Sequence, residues 1–129
     1  MIEIGMTHRT VRTVEPNLTA ASLKSGLLEV LATPIMIAWM EECCMECVQA
    51  KLDEGFGTVG TLVNVTHEAP TPVGGTVTVS CFLRQVDGRR LVFAVEASDK
   101  GGIVGRGSHE RFIVEGAKFQ AKCDKKKEN

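Results

Sequence analysis

Thr33-Pro34 followed by IMIAWMEECCMECVQAKLDEG is the stretch that most constrains what this chain can fold into. Thr33 suits an N-cap, Pro34 the first helical position, and Gly55 the left-handed site after a last turn. The spacing predicts a helix of about twenty residues, roughly 30 Å long. Its first half (Ile35, Met36, Ile37, Ala38, Trp39, Met40) is apolar almost all round, while the second half carries a polar stripe. Such a helix must be covered on most sides, so the N-terminal half is expected to lie deep in the core.

The segments around this helix have the period of strands. Thr7, Thr10, Val11, Thr13 and Val14 predict a first strand that Pro16-Asn17 ends. Leu18 to Gly26 reads as a helical turn or lid, followed by a short strand from Leu27 to Leu31. From Thr58 onward Val59, Thr61, Val63, Val65 and His67 share one parity and Gly60, Leu62, Asn64, Thr66 and Glu68 the other, as in a half-buried strand. Pro70, Pro72, Gly74 and Gly75 then mark a turn. Val77, Val79, Cys81 and Leu83 give the inward parity of the next strand, and Asp87-Gly88 is a hairpin signal. Leu91, Phe93, Val95 and Ala97 form a further strand, and Ile103 to Val114 a last one with its alternation blurred by Gly105 and Gly107. The order predicts an α+β fold, an antiparallel β-sheet wrapped around one long central α-helix.

Neither a repeat nor a Pro/Ser-rich linker divides the 129 residues, so residues 1–129 are expected to form a single domain. A compact chain of this mass should leave about 6700 Å² exposed. Fifteen basic against sixteen acidic residues give a net charge of −1, and this balance predicts no nucleic-acid partner. No eighteen-residue apolar stretch exists, and MIEIGMTHRT lacks a signal-peptide core, which predicts a cytoplasmic protein without a membrane partner. The five cysteines Cys43, Cys44, Cys47, Cys81 and Cys123 are odd in number and suit reduced thiols. The C-x-x-C spacing of Cys44 and Cys47 lies mid-helix with no second pair, so it reads as packing, and no metal is expected.

Periodicity separates the two adjacent carboxylates of the helix. Glu42 shares a stripe with Glu46, Gln49 and Asp53 and reads as solvated. Glu41 falls among Ile37, Ala38, Cys44, Met45, Val48 and Leu52 and is expected to point inward, where it must be paired, hydrogen-bonded or kept neutral. A core glutamate satisfied by a neighbouring strand is the plainer reading, and a catalytic carboxylate the favoured one. His67 closes the inward parity of its strand. A lone histidine there is ordinarily structural, and His8 and His109 show no comparable placement. Thr33 is explained by capping alone, yet its hydroxyl sits beside the unpaired N–H groups of a helix start, which favour a developing oxyanion.

The segments ATPIMIAWMEE, GFGTVGTLVNVTHEAPTPVGGTV, VDGRRLVFAVEASD and GSHERFIV resemble, in order and spacing, the hot-dog-fold thioesterases of the fluoroacetyl-CoA thioesterase type, from about Leu27 to Lys118. The resemblance implies a hot-dog fold and hydrolysis of a small acyl-CoA thioester, with no cofactor beyond the CoA of the substrate. It implies catalytic roles for Thr33, Glu41 and His67. Gly60 matches a glycine whose N–H receives the thioester oxygen, and Arg111 matches a polar position of the substrate site. The lid departs from the family, with Leu23, Lys24 and Leu27 where the fluoroacetate-specific enzyme has a phenylalanine-containing gate.

Thr33 and Glu41, eight residues apart, differ by about 12 Å in height and about 80° in direction on a straight helix. Either the thioester spans them or the site is shared between subunits, and a homodimer is what the resemblance implies. Two other readings fit the same residues: a hot-dog enoyl-CoA hydratase or dehydratase, and a non-catalytic acyl-CoA binding module.

Overall fold

The computed structural model describes residues 1–128, in which five antiparallel strands wrap one long helix. The strands are β1 (Thr7–Thr13), β2 (Phe56–His67), β3 (Thr76–Asp87), β4 (Arg90–Asp99) and β5 (Gly102–Glu115). They are ordered β1-β3-β4-β5-β2, which leaves β1 and β2 as edges. The helices are α1 (Ala20–Leu23), α2 (Thr33–Gln49) and α3 (Gly116–Asp124). Helix α2 lies across the sheet and buries Met36, Trp39, Met40, Cys43, Cys44, Cys47 and Val48. Against them pack Val77, Val79, Cys81 and Leu83 of β3 and Leu91, Phe93, Val95 and Ala97 of β4, the inward parities expected from sequence.

Several local expectations need correction. Helix α2 is 17 residues long. The N–H groups of Lys51 and Leu52 turn back onto Val48 and Gln49, three residues away, which tightens the last turn and ends the helix well before Gly55. Gly55 does adopt a left-handed φ of 86°, but as the hinge into β2. The first half of α2 is less enclosed than its composition suggested: Ile35 and Ile37 are half-buried, and Pro34 and Ala38 exposed. Leu27–Leu31 is not a strand. Only isolated bridges form, Thr19 to Leu31 and Val30 to Pro72, because Pro72 has no N–H with which to extend a ladder. The ambiguous segment before it is helical, a single turn capped by Thr19, whose Oγ1 accepts from the N–H of Ser22 at 3.2 Å.

The largest correction is in β2. Gly60 pairs with Arg111 but Leu62 pairs with Glu110, so Thr61 is an extra residue and the strand slips register there. The slip reverses parity. Gly60 faces α2 before it, and Val65 and His67 face the core and α2 after it, whereas simple alternation put Gly60 and His67 on opposite faces.

Gly105 of β5, paired with His67, seats the start of α2 on the sheet. A Cβ there would overlap the Thr66 carbonyl oxygen and lie 2.7 Å from the sulfur of Met36, whereas one at Gly57 would meet only Gln49 Oε1 at 3.7 Å. Gly105→Ala should therefore destabilise the fold by about 1–3 kcal/mol through overpacking, and Gly57→Ala far less. Denaturant titration of both variants checks the difference.

Candidate active site

Thr33 occupies the first turn of α2 and its hydroxyl does not cap the helix. The N-cap is Ala32, which has no side chain to accept from the turn above, so the expected cap is corrected. The hydroxyl is instead spent on His67, with Oγ1 2.7 Å from Nδ1. Pro34 has no N–H of its own to satisfy, which suits a helix start whose side chain is engaged elsewhere. The pair borders a shallow depression of about 240 Å³ lined also by Ser25, Val30, Leu31 and Ala69. His67 Nε2 is buried and meets no partner among the described residues, and burial pulls the pKa of the imidazole below the ordinary histidine value. Glu68, next in sequence, turns away to Arg106.

Glu41 lies two turns further along α2 and belongs to a second group. Its carboxylate Oε2 is 3.8 Å from Arg111 Nη1, and the side chain retains 42% of its exposure. It is thus at the margin of the apolar face rather than within it, beside the exposed Ala38 and Met45. Gly60 lies directly beneath: a Cβ built there would come 2.7 Å from Glu41 Oε2 and 3.2 Å from His109 Cε1. Only the absence of a side chain lets the carboxylate rest over the β2 backbone. Among the described residues no hydrogen bond or ion pair joins Glu41 to Thr33 or His67. Within one chain Glu41 and His67 therefore do not meet, and the imidazole beneath Glu41 is that of His109.

Arg111 is 6% exposed. Its Nε donates to Thr58 Oγ1 at 2.7 Å, its Nη2 to the Thr58 carbonyl at 2.9 Å, and its Nη1 reaches His109 Nε2 at 3.1 Å. Burial lowers its proton affinity, opposed by the Glu41 carboxylate. His109 and Thr58 were missed in the sequence. The signal for His109 was its two-residue spacing from Arg111 on β5, diluted by the glycines that precede it. Burial, only partly opposed by the Leu62 carbonyl, lowers the pKa of His109 as well.

The remaining features stand apart from these groups. Glu42 is ion-paired with Arg12 at 2.8 Å rather than free in solvent. The thiols of Cys43, Cys44, Cys47 and Cys81 are buried in the core, and hydrogen bonding to Cys81 together with burial pushes Cys43 far from thiolate. A groove of about 1060 Å³ crosses the sheet face turned away from α2, lined by Arg9, Ser80, Phe82 and Arg106 among others, and touches none of Thr33, Glu41 or His67.

The family model described as fluoroacetyl-CoA-specific thioesterase matches residues 14–117. The chain is 41% identical over 119 residues to the fluoroacetyl-CoA thioesterase of Streptantibioticus cattleyicolor, covering 92% of this chain and 84% of that protein. A solved structure of a fluoroacetyl-CoA thioesterase superposes with a TM-score of 0.93 at 37% identity, covering 98% of each chain. A thioesterase superfamily member from Thermus thermophilus superposes with a TM-score of 0.90 at 28% identity, over 99% of this chain and 95% of that one.

The half-buried imidazole of His67 and the buried one of His109 have folded-state pKa values depressed below the unfolded value near 6.5, so the unfolded chain binds more protons in acid. Stability contributed by neutral His67 and His109 should be complete above about pH 6.5 and be lost as pH falls through their folded values. Nitrogen-15 NMR titration should find both rings neutral at pH 7, and denaturant midpoints should fall on acidification below about pH 6.5.

Proposed function

The chain belongs to the fluoroacetyl-CoA-specific thioesterase family, and on that premise we propose how Thr33, Glu41, His67 and Gly60 hydrolyse a small acyl-CoA thioester to the free acid and CoA. The protein is a thioester hydrolase of the hot-dog fold. The 2.7 Å contact between the Thr33 hydroxyl and a neutral His67 carries the reading. A hydroxyl alone is a weak nucleophile, and an imidazole able to take its proton activates it. In this reading Thr33 Oγ1 attacks the thioester carbonyl while its proton passes to His67. The carbonyl oxygen becomes an oxyanion held by the Gly60 N–H. The carbon–sulfur bond then breaks and the CoA thiolate takes the proton from His67. Glu41 next accepts a proton from the water that attacks the acyl-threonine. The ester carbon–oxygen bond breaks, that proton is returned to the Thr33 oxygen, and the carboxylic acid leaves with the Thr33 hydroxyl and the Glu41 carboxylate regenerated. Arg111 steadies the Glu41 carboxylate beside the substrate. No cofactor is required beyond CoA itself.

The division of these residues into two groups supports a homodimer. Strand β2 is a free edge, and Leu62 and Val63 on it are each 43% exposed. The accessible surface of 7879 Å² exceeds what the area scaling expects of a compact chain by about 1200 Å². If two β2 edges pair antiparallel about a two-fold axis through Asn64, with Thr61 the surplus residue, Gly60 of one protomer faces the partner's His67. Each site then takes Thr33 and His67 from one protomer and Glu41 and Gly60 from the other. Four buried free thiols suit a reducing compartment, which supports placing the protein in the cytoplasm.

Glu41→Gln and His67→Ala should each lower thiol release from acetyl- or propionyl-CoA at least about a hundredfold with the fold intact. Unchanged hydrolysis in both variants would refute the assignment. Mixing the two inactive homodimers after subunit exchange tests the shared site. Mixed dimers hold one wholly intact site, so about a quarter of wild-type activity should return. A site contained within one chain would return none.

A further inference from the structure

We propose that His109 is a positioning residue, a neutral Nδ1–H tautomer that clamps the extra residue of β2 and thereby aims the Gly60 backbone at the site. A carbonyl oxygen can only accept, so the 2.8 Å contact from His109 Nδ1 to the Leu62 carbonyl fixes the proton on Nδ1. Nε2 is then an acceptor, and Arg111 Nη1, which can only donate, supplies its partner at 3.1 Å. Both contacts are satisfied in one protonation state and one tautomer. Arg111 in turn holds Thr58 through two hydrogen bonds. The imidazole and guanidinium therefore grip β2 at Thr58 and Leu62, two residues to either side of Gly60. From the far strand face, the hydroxyl of the extra residue Thr61 donates to the Glu110 carbonyl at 3.2 Å.

A bulge disrupts the ladder and bends its strand, and beside this one the buried ring gives the Leu62 carbonyl a fixed side-chain partner. His109 is 1% exposed and stacks no atom toward open solvent, so its role is to hold Gly60 rather than to meet substrate. A displacement of about 1 Å in an oxyanion donor is enough to cost about a hundredfold in rate. The kinetic consequence rests on the role of Gly60 given above, whereas the tautomer and the conformation of β2 do not.

The test uses the full chain, with His109→Leu to remove both polar contacts and His109→Asn to keep a donor at the position of Nδ1. Long-range nitrogen-15 spectra of the wild type should show His109 as the Nδ1–H tautomer between pH 6.5 and 8. In His109→Leu the Gly60 amide resonance should shift and kcat for acetyl-CoA fall about a hundredfold, with KM within about twofold. His109→Asn should restore the Gly60 resonance toward its wild-type position and recover at least about tenfold in kcat. An Nε2–H tautomer in the wild type would overturn the proposal whatever the activity. So would an unmoved Gly60 resonance in a folded His109→Leu, or an Asn variant no better than Leu in both readouts. Should His109→Leu not fold, the wild-type tautomer and the Asn variant decide. A wild type that releases no thiol from any acyl-CoA would refute the thioesterase reading, leaving the two spectroscopic readouts to judge the clamp.

Discussion

One extra residue in β2 sets the geometry on which everything else depends. Without the slip at Thr61, Gly60 and His67 would project to opposite faces of the sheet, one toward α2 and one toward solvent. With it, the strand offers a bare stretch of backbone beneath Glu41 and, seven residues on, an imidazole beneath Thr33. A register irregularity is costly in a lone strand, because a ladder donor or acceptor is left over. Here two carbonyls beside the slip have side-chain partners, that of Leu62 in a buried imidazole and that of Glu110 in the hydroxyl of Thr61 itself.

Two close approaches fix α2 against this strand pair. At one end Gly105 lets Met36 rest on β5, which holds Thr33 within hydrogen-bond reach of His67. At the other Gly60 lets the Glu41 carboxylate lie over β2. Between them runs a thiol- and methionine-lined core with no ionisable side chain other than cysteine among the buried residues of α2. The charged groups of α2 are thus confined to its margins, Glu41 toward β2 and Glu42 and Glu46 toward Arg12 and His8 of β1. A buried guanidinium such as Arg111 would be a heavy cost by itself, and it is tolerated because four acceptors surround it, three of them neutral.

The parts of this arrangement that follow simple periods were legible in the sequence. β3 alternates from Val77 to Leu83, and in β4 Leu91, Phe93, Val95 and Ala97 lie buried as their parity requires, with Val92 buried as well. The helix was legible for the same reason, down to its Pro34. What periodicity missed is where the period breaks. Nothing in GTVGTLVNVTH marks Thr61 as surplus, since Thr and Gly occur on both parities, so Gly60 was assigned the wrong face. The same break hid His109, whose neighbours Gly105 and Gly107 erase the alternation of β5. Thr33 was read as a cap because capping is a local rule. The competing partner, His67, lies 34 residues away and no local rule could show it.

The two imidazoles show how one kind of side chain is divided between support and chemistry. Both are kept neutral by burial. His109 faces a carbonyl oxygen on one nitrogen and a guanidinium on the other, neither of which can exchange roles, so its proton has one address. His67 faces a hydroxyl, which donates or accepts equally well, and its second nitrogen meets nothing among the described residues. A proton can therefore cross the Thr33–His67 contact in either direction without breaking another bond, whereas moving the proton of His109 would leave the Leu62 carbonyl unpaired and set Nε2–H against Arg111. Fixed partners make a brace and an ambivalent partner makes a base, and the fold supplies each ring with the kind of neighbour its task demands.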